Sequence, residues 1–299
     1  MRTFFFKRAI ATSIIFVILG VGAIVYFLFF NKAELDTVIL DNPIGHVLSQ
    51  RVIGKSVEGR NIDAYTYLPS ADVEGSDAIH IVFVGGVHGG YEWNSVLLAY
   101  RFLDYLEANP SVIPSNITVT VIPSANPDGV YKVVGKEGRF TVADVPDDVA
   151  TAPGRFNANE VDLNRNFDCK WKPESKWRDA VVSAGTSAFS EPEAIAIRDF
   201  VLEKTPDAVI FWHSQANSVY ASECEDGILP ETLDIMNAYA NASGYSPVSS
   251  FDAYETTGDA EGWLASIGIP AITVELKTHE TVEWEENLRG IKAFFEYYR

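Results

Sequence analysis

Five short apolar runs, separated by longer amphipathic ones, constrain this chain more than any other feature. Ile62–Leu68, Ile79–Val84, Ile117–Ile122, Ala208–Trp212 and Ala271–Leu276 have the length and the Val/Ile content of strands. Between and after them, Glu92–Leu106, Glu191–Glu203, Glu231–Ala242 and Glu283–Tyr298 repeat apolar residues at helical spacing. Strands that read as continuously apolar are buried on both faces, so the alternation indicates an α/β domain built on a largely buried sheet. Turn-forming residues gather where strands end, in Gly85-Gly86-Val87-His88-Gly89-Gly90 and Asn126-Pro127-Asp128-Gly129. Residues from about 129 to 190 read as mostly loop. Ligands of open α/β sheets bind at the carboxyl ends of strands, so the chemistry is expected there.

Of the 299 residues, 47% are hydrophobic, enough for one large core. Ala9 to Phe30 form a run without a charge. Helical, the run would be about 30 Å long, the thickness of a bilayer's hydrocarbon core. Arg2, Lys7 and Arg8 precede it, which places the N-terminus in the cytoplasm and the rest of the chain outside. The rival reading is a cleaved signal peptide, whose apolar region is normally shorter and ends at small residues; this one ends Tyr26-Phe27-Leu28-Phe29-Phe30. The expected organisation is a cytoplasmic N-terminus (1–8), a transmembrane helix (9–30), a juxtamembrane segment (31–47) and an extracytoplasmic domain (48–299). A net charge of −18 argues against nucleic acid as a partner. Cys169 and Cys224 either form one disulfide or remain two buried thiols, and are too few for a disulfide scaffold.

Three clusters carry chemistry. His88 follows a strand within a glycine-rich turn, Glu92 opens the next helix, and His213 ends the run Ala208–Trp212. Two imidazoles and one carboxylate are the ligand set of a catalytic zinc site with its fourth position left to water. The plain alternative is a helix-start Glu and two structural histidines. The second cluster, Asp162-Leu163-Asn164-Arg165-Asn166, packs a carboxylate, amides and a guanidinium together, with Arg155 upstream. Arginine recognises a carboxylate through two parallel charge-assisted bonds, as an exopeptidase acting at a C-terminus requires. The third is Glu275, inside the apolar run Ala271–Leu276. A carboxylate there is costly to bury unless paired or functional, and a general base beside a metal site would account for it. His46 and His80 read as structural or exposed, and His279 as lying near the rim.

Together these residues resemble the M14 zinc carboxypeptidases, the carboxypeptidase A-like metallopeptidases. The resemblance runs from about residue 50 to the C-terminus. Its pieces come in the family's order: a His–Glu pair after a strand, Asn-Pro-Asp-Gly, an Arg before Asp-x-Asn-Arg-Asn, a strand-ending His-Ser and a late strand Glu. It implies a single three-layer domain with a mixed sheet flanked by helices. It also implies one zinc per chain on His88, Glu92 and His213, with Asp162 behind His88. Glu275 would then serve as proton carrier and Arg155 as oxyanion stabiliser. Asn164 and Arg165 would hold the terminal carboxylate of a peptide substrate, and Tyr254 would cap it. The sequence departs from the family at one point, since His88 and Glu92 are separated by one residue more than the usual His-x-x-Glu. No acid occupies position 91, which leaves Glu92 as the local candidate.

Counting from Tyr254, Glu261 falls where relatives that prefer basic residues carry an acid at the base of the specificity pocket, and Asp259 is nearby. The resemblance therefore implies a preference for Lys, Arg or an amino-terminated side chain such as diaminopimelate. Both acids would otherwise lie on the solvent side of a helix over residues 259–266. The leading function is a membrane-anchored metallocarboxypeptidase. The alternatives are a related zinc amidase or deacylase acting on cell-wall peptides or N-acyl amino acids, and an inactive peptide-binding relative.

Overall fold

A computed structural model of the chain describes residues 37–40, 47–68 and 78–299. The expected transmembrane helix, residues 9–30, and His46 lie outside the described residues. Among those that are described, no helix is long and apolar enough to cross a membrane. Residues Thr37–Arg299 form one compact unit.

The elements follow in chain order: β1 (Thr37–Leu40), β2 (Val47–Lys55), β3 (Asn61–Leu68), β4 (Ile79–Val84), α1 (Trp93–Ala108), β5 (Ile117–Ile122), α2 (Pro127–Val134), β6 (Glu174–Trp177) and β7 (Ala180–Ser183). They continue with α3 (Pro192–Lys204), β8 (Ala208–Ser214), β9 (Ser218–Ala221), β10 (Glu223–Cys224), β11 (Gly227–Ile228), α4 (Pro230–Ser243), β12 (Ser246–Val248), α5 (Ala260–Ser266), β13 (Ala271–Leu276) and α6 (Trp284–Tyr297). Nine strands form one mixed sheet in the order β1-β2-β3-β5-β4-β8-β13-β9-β12. Its four central strands, β5, β4, β8 and β13, are parallel. β2 and β3 extend one flank antiparallel, and β9 pairs antiparallel with β13 on the other.

The apolar runs bury both faces by simple alternation. Ile81, Phe83, Ile210, Trp212, Ile272 and Val274 point to one side, where they pack with α1, α4 and α6. Val82, Val84, Val209, Phe211 and Ala271 point to the other, against α3 and α5. The result is the expected three-layer α/β arrangement. Phe83 anchors the first layer, stacked on Trp212 at 5.2 Å and edge-on to Phe102 at 4.9 Å.

Three parts depart from the sequence reading. β1, inside the stretch assigned to a juxtamembrane segment, pairs with β2 and starts the sheet. α2 begins inside Asn-Pro-Asp-Gly, with Asn126 as cap and Pro127 in its first turn, and continues into the stretch read as loop. Those residues are turn formers, but Asn as N-cap and Pro at N1 are equally a helix start. β6 and β7 form a hairpin in the same stretch.

The chain leaves β4 towards β5 on one side, while β8 has β13 as its neighbour on the other. The crevice between β4 and β8 is therefore a topological switch point, open at the carboxyl ends of both strands.

Candidate active site

His88 and His213 flank that crevice from its two walls. His88 follows β4 by a glycine turn, and His213 is the sixth residue of β8. Between His88 and Glu92 the chain makes a tight 3-10 turn, Gly89–Glu92, before α1 begins. This turn absorbs the additional residue and brings the Glu92 carboxylate back over His88. One Glu92 oxygen lies 2.8 Å from His88 Nδ1 and the other 3.0 Å from His213 Nδ1. Ser95 holds the turn, donating to the Glu92 carbonyl at 2.7 Å and accepting from the Gly86 N–H at 3.0 Å.

The turn also needs space that only glycine leaves. A Cβ on Gly89 would meet the Gly154 carbonyl at 2.6 Å, one on Gly90 the Gly129 carbonyl at 2.5 Å, and one on Gly129 the Gly154 carbonyl at 2.3 Å. Three backbone segments thus interlock: the His88 turn, the start of α2 and the residue before Arg155. Their contact fixes where Arg155 stands relative to His88.

Arg155 is buried, donating from Nε to Asp162 Oδ2 at 2.7 Å, with its guanidinium 4.7 Å from the Trp177 ring centre. The other Asp162 oxygen faces His88 Nε2 at 3.6 Å and accepts from the Asn164 N–H at 3.2 Å. Asp162 therefore sits behind His88, where the resemblance placed it. Burial opposes its ionisation, but Arg155 and Arg165 hold its pKa below the ordinary carboxylate value.

Glu275 lies beside His213, its register partner on the neighbouring parallel strand. Its Oε2 is buried with no hydrogen-bond partner. Burial, reinforced by the Glu92 charge, pushes its pKa up to about 8. Asn164 Oδ1 accepts from the Ala260 N–H at 2.8 Å. Arg165 is 3% exposed and donates to backbone carbonyls, those of Asn164 and Lys176; among the described residues no carboxylate is hydrogen-bonded to it, although Asp162 and Asp259 feel its charge. Tyr254 packs edge-on against Phe251, 4.8 Å between centres.

His88, Arg155, Asn164, Arg165, His213, Tyr254, Glu261 and Glu275 line one cavity of about 260 Å³. A larger cavity of about 450 Å³, beside Lys55 and Arg60, contains none of them. Glu261 does not face solvent: it is 4% exposed, and its Oε1 lies 3.1 Å from His213 Nε2. Asp259, capping α5 through the Gly262 N–H, lines the same cavity; burial and the Glu261 charge raise its pKa to about 6.

Three further features stand beside the site; of these the sequence marks His279 as a rim residue and leaves the cysteine pairing open, but does not mark Tyr91. Tyr91 packs on His279 at 4.6 Å and on Trp177 at 5.1 Å. His279 Nδ1 lies 2.7 Å from Ser214 Oγ. Cys169 and Cys224 form a disulfide, and Cys169 borders the cavity. Adjacency to Glu92 was the available signal for Tyr91, whereas nothing local marks the pairing of the cysteines.

Residues 40–289 match the family model described as zinc carboxypeptidase, Peptidase_M14. The chain belongs to that family. Among sequences, this M14 chain is similar to gamma-D-glutamyl-L-diamino acid endopeptidase 1 of Lysinibacillus sphaericus, 27% identical over 68% of this chain and 55% of that protein. It is also similar to murein peptide amidase A of Escherichia coli K12, 30% identical over 40% of this chain and 50% of that protein. The chain therefore spans about half the length of these relatives. Among solved structures, its fold is shared with thrombin activatable fibrinolysis inhibitor, at a TM-score of 0.66 and 19% identity over 84% of this chain and 69% of that one.

The donor set fits the family's metal. One ligand atom each from His88, Glu92 and His213 lies within 4.8 Å of the others, and all three residues are buried. The two Nδ1 atoms face each other at 3.1 Å. Two neutral imidazole lone pairs repel at that distance, whereas a shared cation relieves the repulsion. Two imidazoles and a carboxylate suit zinc with an open fourth position.

Proposed function

We propose that this protein is a zinc metallopeptidase that removes the C-terminal residue of peptides outside the cytoplasm, held to the membrane by residues 9–30. The observation that carries the reading is Arg165. Its guanidinium is buried at the cavity with no carboxylate hydrogen-bonded to it, so a substrate carboxylate in the cavity can take it as a charge-assisted partner. Asn164, fixed through Ala260, provides a polar neighbour for the same group.

One zinc ion per chain, bound by His88, Glu92 and His213, would supply Lewis acidity and a water of lowered pKa. The chain's own residues supply the rest. Arg155, braced by Asp162, donates from its free guanidinium nitrogens to the scissile carbonyl oxygen as negative charge develops there. Glu275 accepts a proton from the attacking water and passes it to the leaving amine. A carboxyl beside the metal site with one oxygen free of other partners is placed for both directions of transfer. Asp259 gives the cavity an acidic wall, which favours a leaving residue with a cationic side chain. The Cys169–Cys224 bridge agrees with an oxidising compartment.

The relatives favour a specific second reading, an amidase or endopeptidase of cell-wall peptides, because two of them are a gamma-D-glutamyl-L-diamino acid endopeptidase and a murein peptide amidase. Both readings share the metal site and differ in substrate. The test is hydrolysis by the full chain of matched peptides ending in Lys or Leu, each with a free or an amidated C-terminus, beside a γ-D-glutamyl-diaminopimelate peptide. A carboxypeptidase cleaves the free Lys peptide and ignores both amides. Equal cleavage of free and amidated forms would overturn that reading, and turnover of the γ-glutamyl peptide alone would select the second.

A further inference from the structure

Glu261 lines the same cavity as Asp259, but its surroundings give it another task. Glu261 occupies the first turn of α5, and its Oε1 lies 3.1 Å from His213 Nε2 while accepting from Thr273 Oγ1 at 3.2 Å. His213 thus has a carboxylate on each ring nitrogen, Glu92 at Nδ1 and Glu261 at Nε2. Two contacts with other segments, and the helix's own cap, hold α5 in this place. The Ala260 N–H donates to Asn164, and Asp259 caps the helix through the Gly262 N–H. At Gly262 a Cβ would lie 2.9 Å from both Cys169 Sγ and the Glu223 carbonyl, so the helix sits against the disulfide more closely than any other residue would permit.

We infer that Glu261 is a positioning residue for His213: it accepts the Nε2–H, which turns Nδ1 towards the metal and fixes the ring between β8 and α5. His213 then has within hydrogen-bond reach the kind of carboxylate that His88 has at 3.6 Å in Asp162. With Glu261 so engaged, Asp259 is the acid of the two left to meet a substrate cation. The inference rests on the metal reading above and deepens it.

The test measures zinc affinity of the full-length protein by chelator competition, together with the thermal melt of the metal-free form and the Lys-over-Leu ratio of the loaded enzyme. Glu261→Gln, which keeps shape and removes charge, is expected to weaken zinc binding about 10-fold, and Glu261→Ala closer to about 100-fold. The Lys-over-Leu ratio of Glu261→Gln should stay near that of wild type, while Asp259→Asn should lower the ratio and leave zinc affinity unchanged. Thr273→Val touches no ligand and frees Glu261, so it is expected to weaken zinc by a smaller factor; it decides the matter if the Glu261 variants do not fold. Zinc affinity within about twofold of wild type in the folded variants would overturn the positioning role while leaving the metal reading intact. A wild-type protein that binds no stoichiometric zinc would overturn the metal reading itself.

Discussion

Glu275 is set among apolar neighbours in a central strand, and its cost is visible in an oxygen with no partner and a pKa raised to about 8. Replacing it with Gln relieves that cost, so Glu275→Gln should fold and bind zinc like wild type. Its turnover should fall on the order of 10³-fold, because the proton carrier is gone. Metal analysis alongside a single-turnover assay checks this, and an active Glu275→Gln enzyme removes the residue from the mechanism. His80 on β4 makes a different prediction. Burial pushes its pKa from 6.5 down to about 4, with Nε2 lying 2.8 Å from Thr120 Oγ1. In the unfolded chain the ring takes up a proton near pH 6.5, while in the folded protein it stays neutral until about pH 4. Folding is therefore favoured less as pH falls through that window, by at most about 3 kcal/mol, and is unaffected above it. His80→Gln should lose less melting temperature than wild type between pH 7 and pH 4.5. Parallel losses in the two proteins would rule this out.

At the scale of elements, the site depends on three turns that touch through glycine. Gly129 is the sharpest test, because two effects there have opposite sign. It lies within α2, where alanine favours a helix by about 1 kcal/mol. Its Cβ, however, would sit 2.3 Å from the Gly154 carbonyl, which precedes Arg155. A backbone clash of that size cannot be relieved by a rotamer change, so packing should win. Gly129→Ala is expected to destabilise the protein by roughly 2 kcal/mol and to lower kcat by displacing Arg155. Urea denaturation gives the sign directly, and a stabilised variant would mean that the turns can move apart. The 3-10 turn Gly89–Glu92 belongs to the same scale. Counted as residues, the His88–Glu92 spacing departs from the family; as a turn followed by a helix, it delivers the carboxylate to both imidazoles.

For the whole molecule, the disulfide is the longest-range covalent constraint, joining residues 55 apart and bordering the cavity. Closing a loop of that length stabilises the folded state by about 4 kcal/mol in the chain-entropy account. Cys169→Ser/Cys224→Ser should melt about 10 °C lower than wild type, by calorimetry, with weaker substrate binding because α5 and the Arg165 loop rest against the bridge. An unchanged melting temperature would show that packing alone holds that wall. The α/β class, the central strands and the residues gathered at the candidate site were legible in the sequence. Buried parallel strands must read as short apolar runs, and a metal site needs side chains that composition makes rare: five histidines, of which two lie with Glu92 at the candidate metal site, and a lone Glu in an apolar strand. Short outlying strands such as β9 and β12 were not legible, because three or four residues hold too little pattern, and α2 was hidden by turn-forming residues. What only the tertiary structure decided is which partners those side chains take. Glu92 reaches both imidazoles, Glu261 turns inward to His213, and Cys169 meets Cys224, all across separations that local sequence does not encode. The reason is physical: residue types and periodicity set what must be buried, whereas pairing depends on which turns can approach closely enough, and here that is decided by glycines on three different segments.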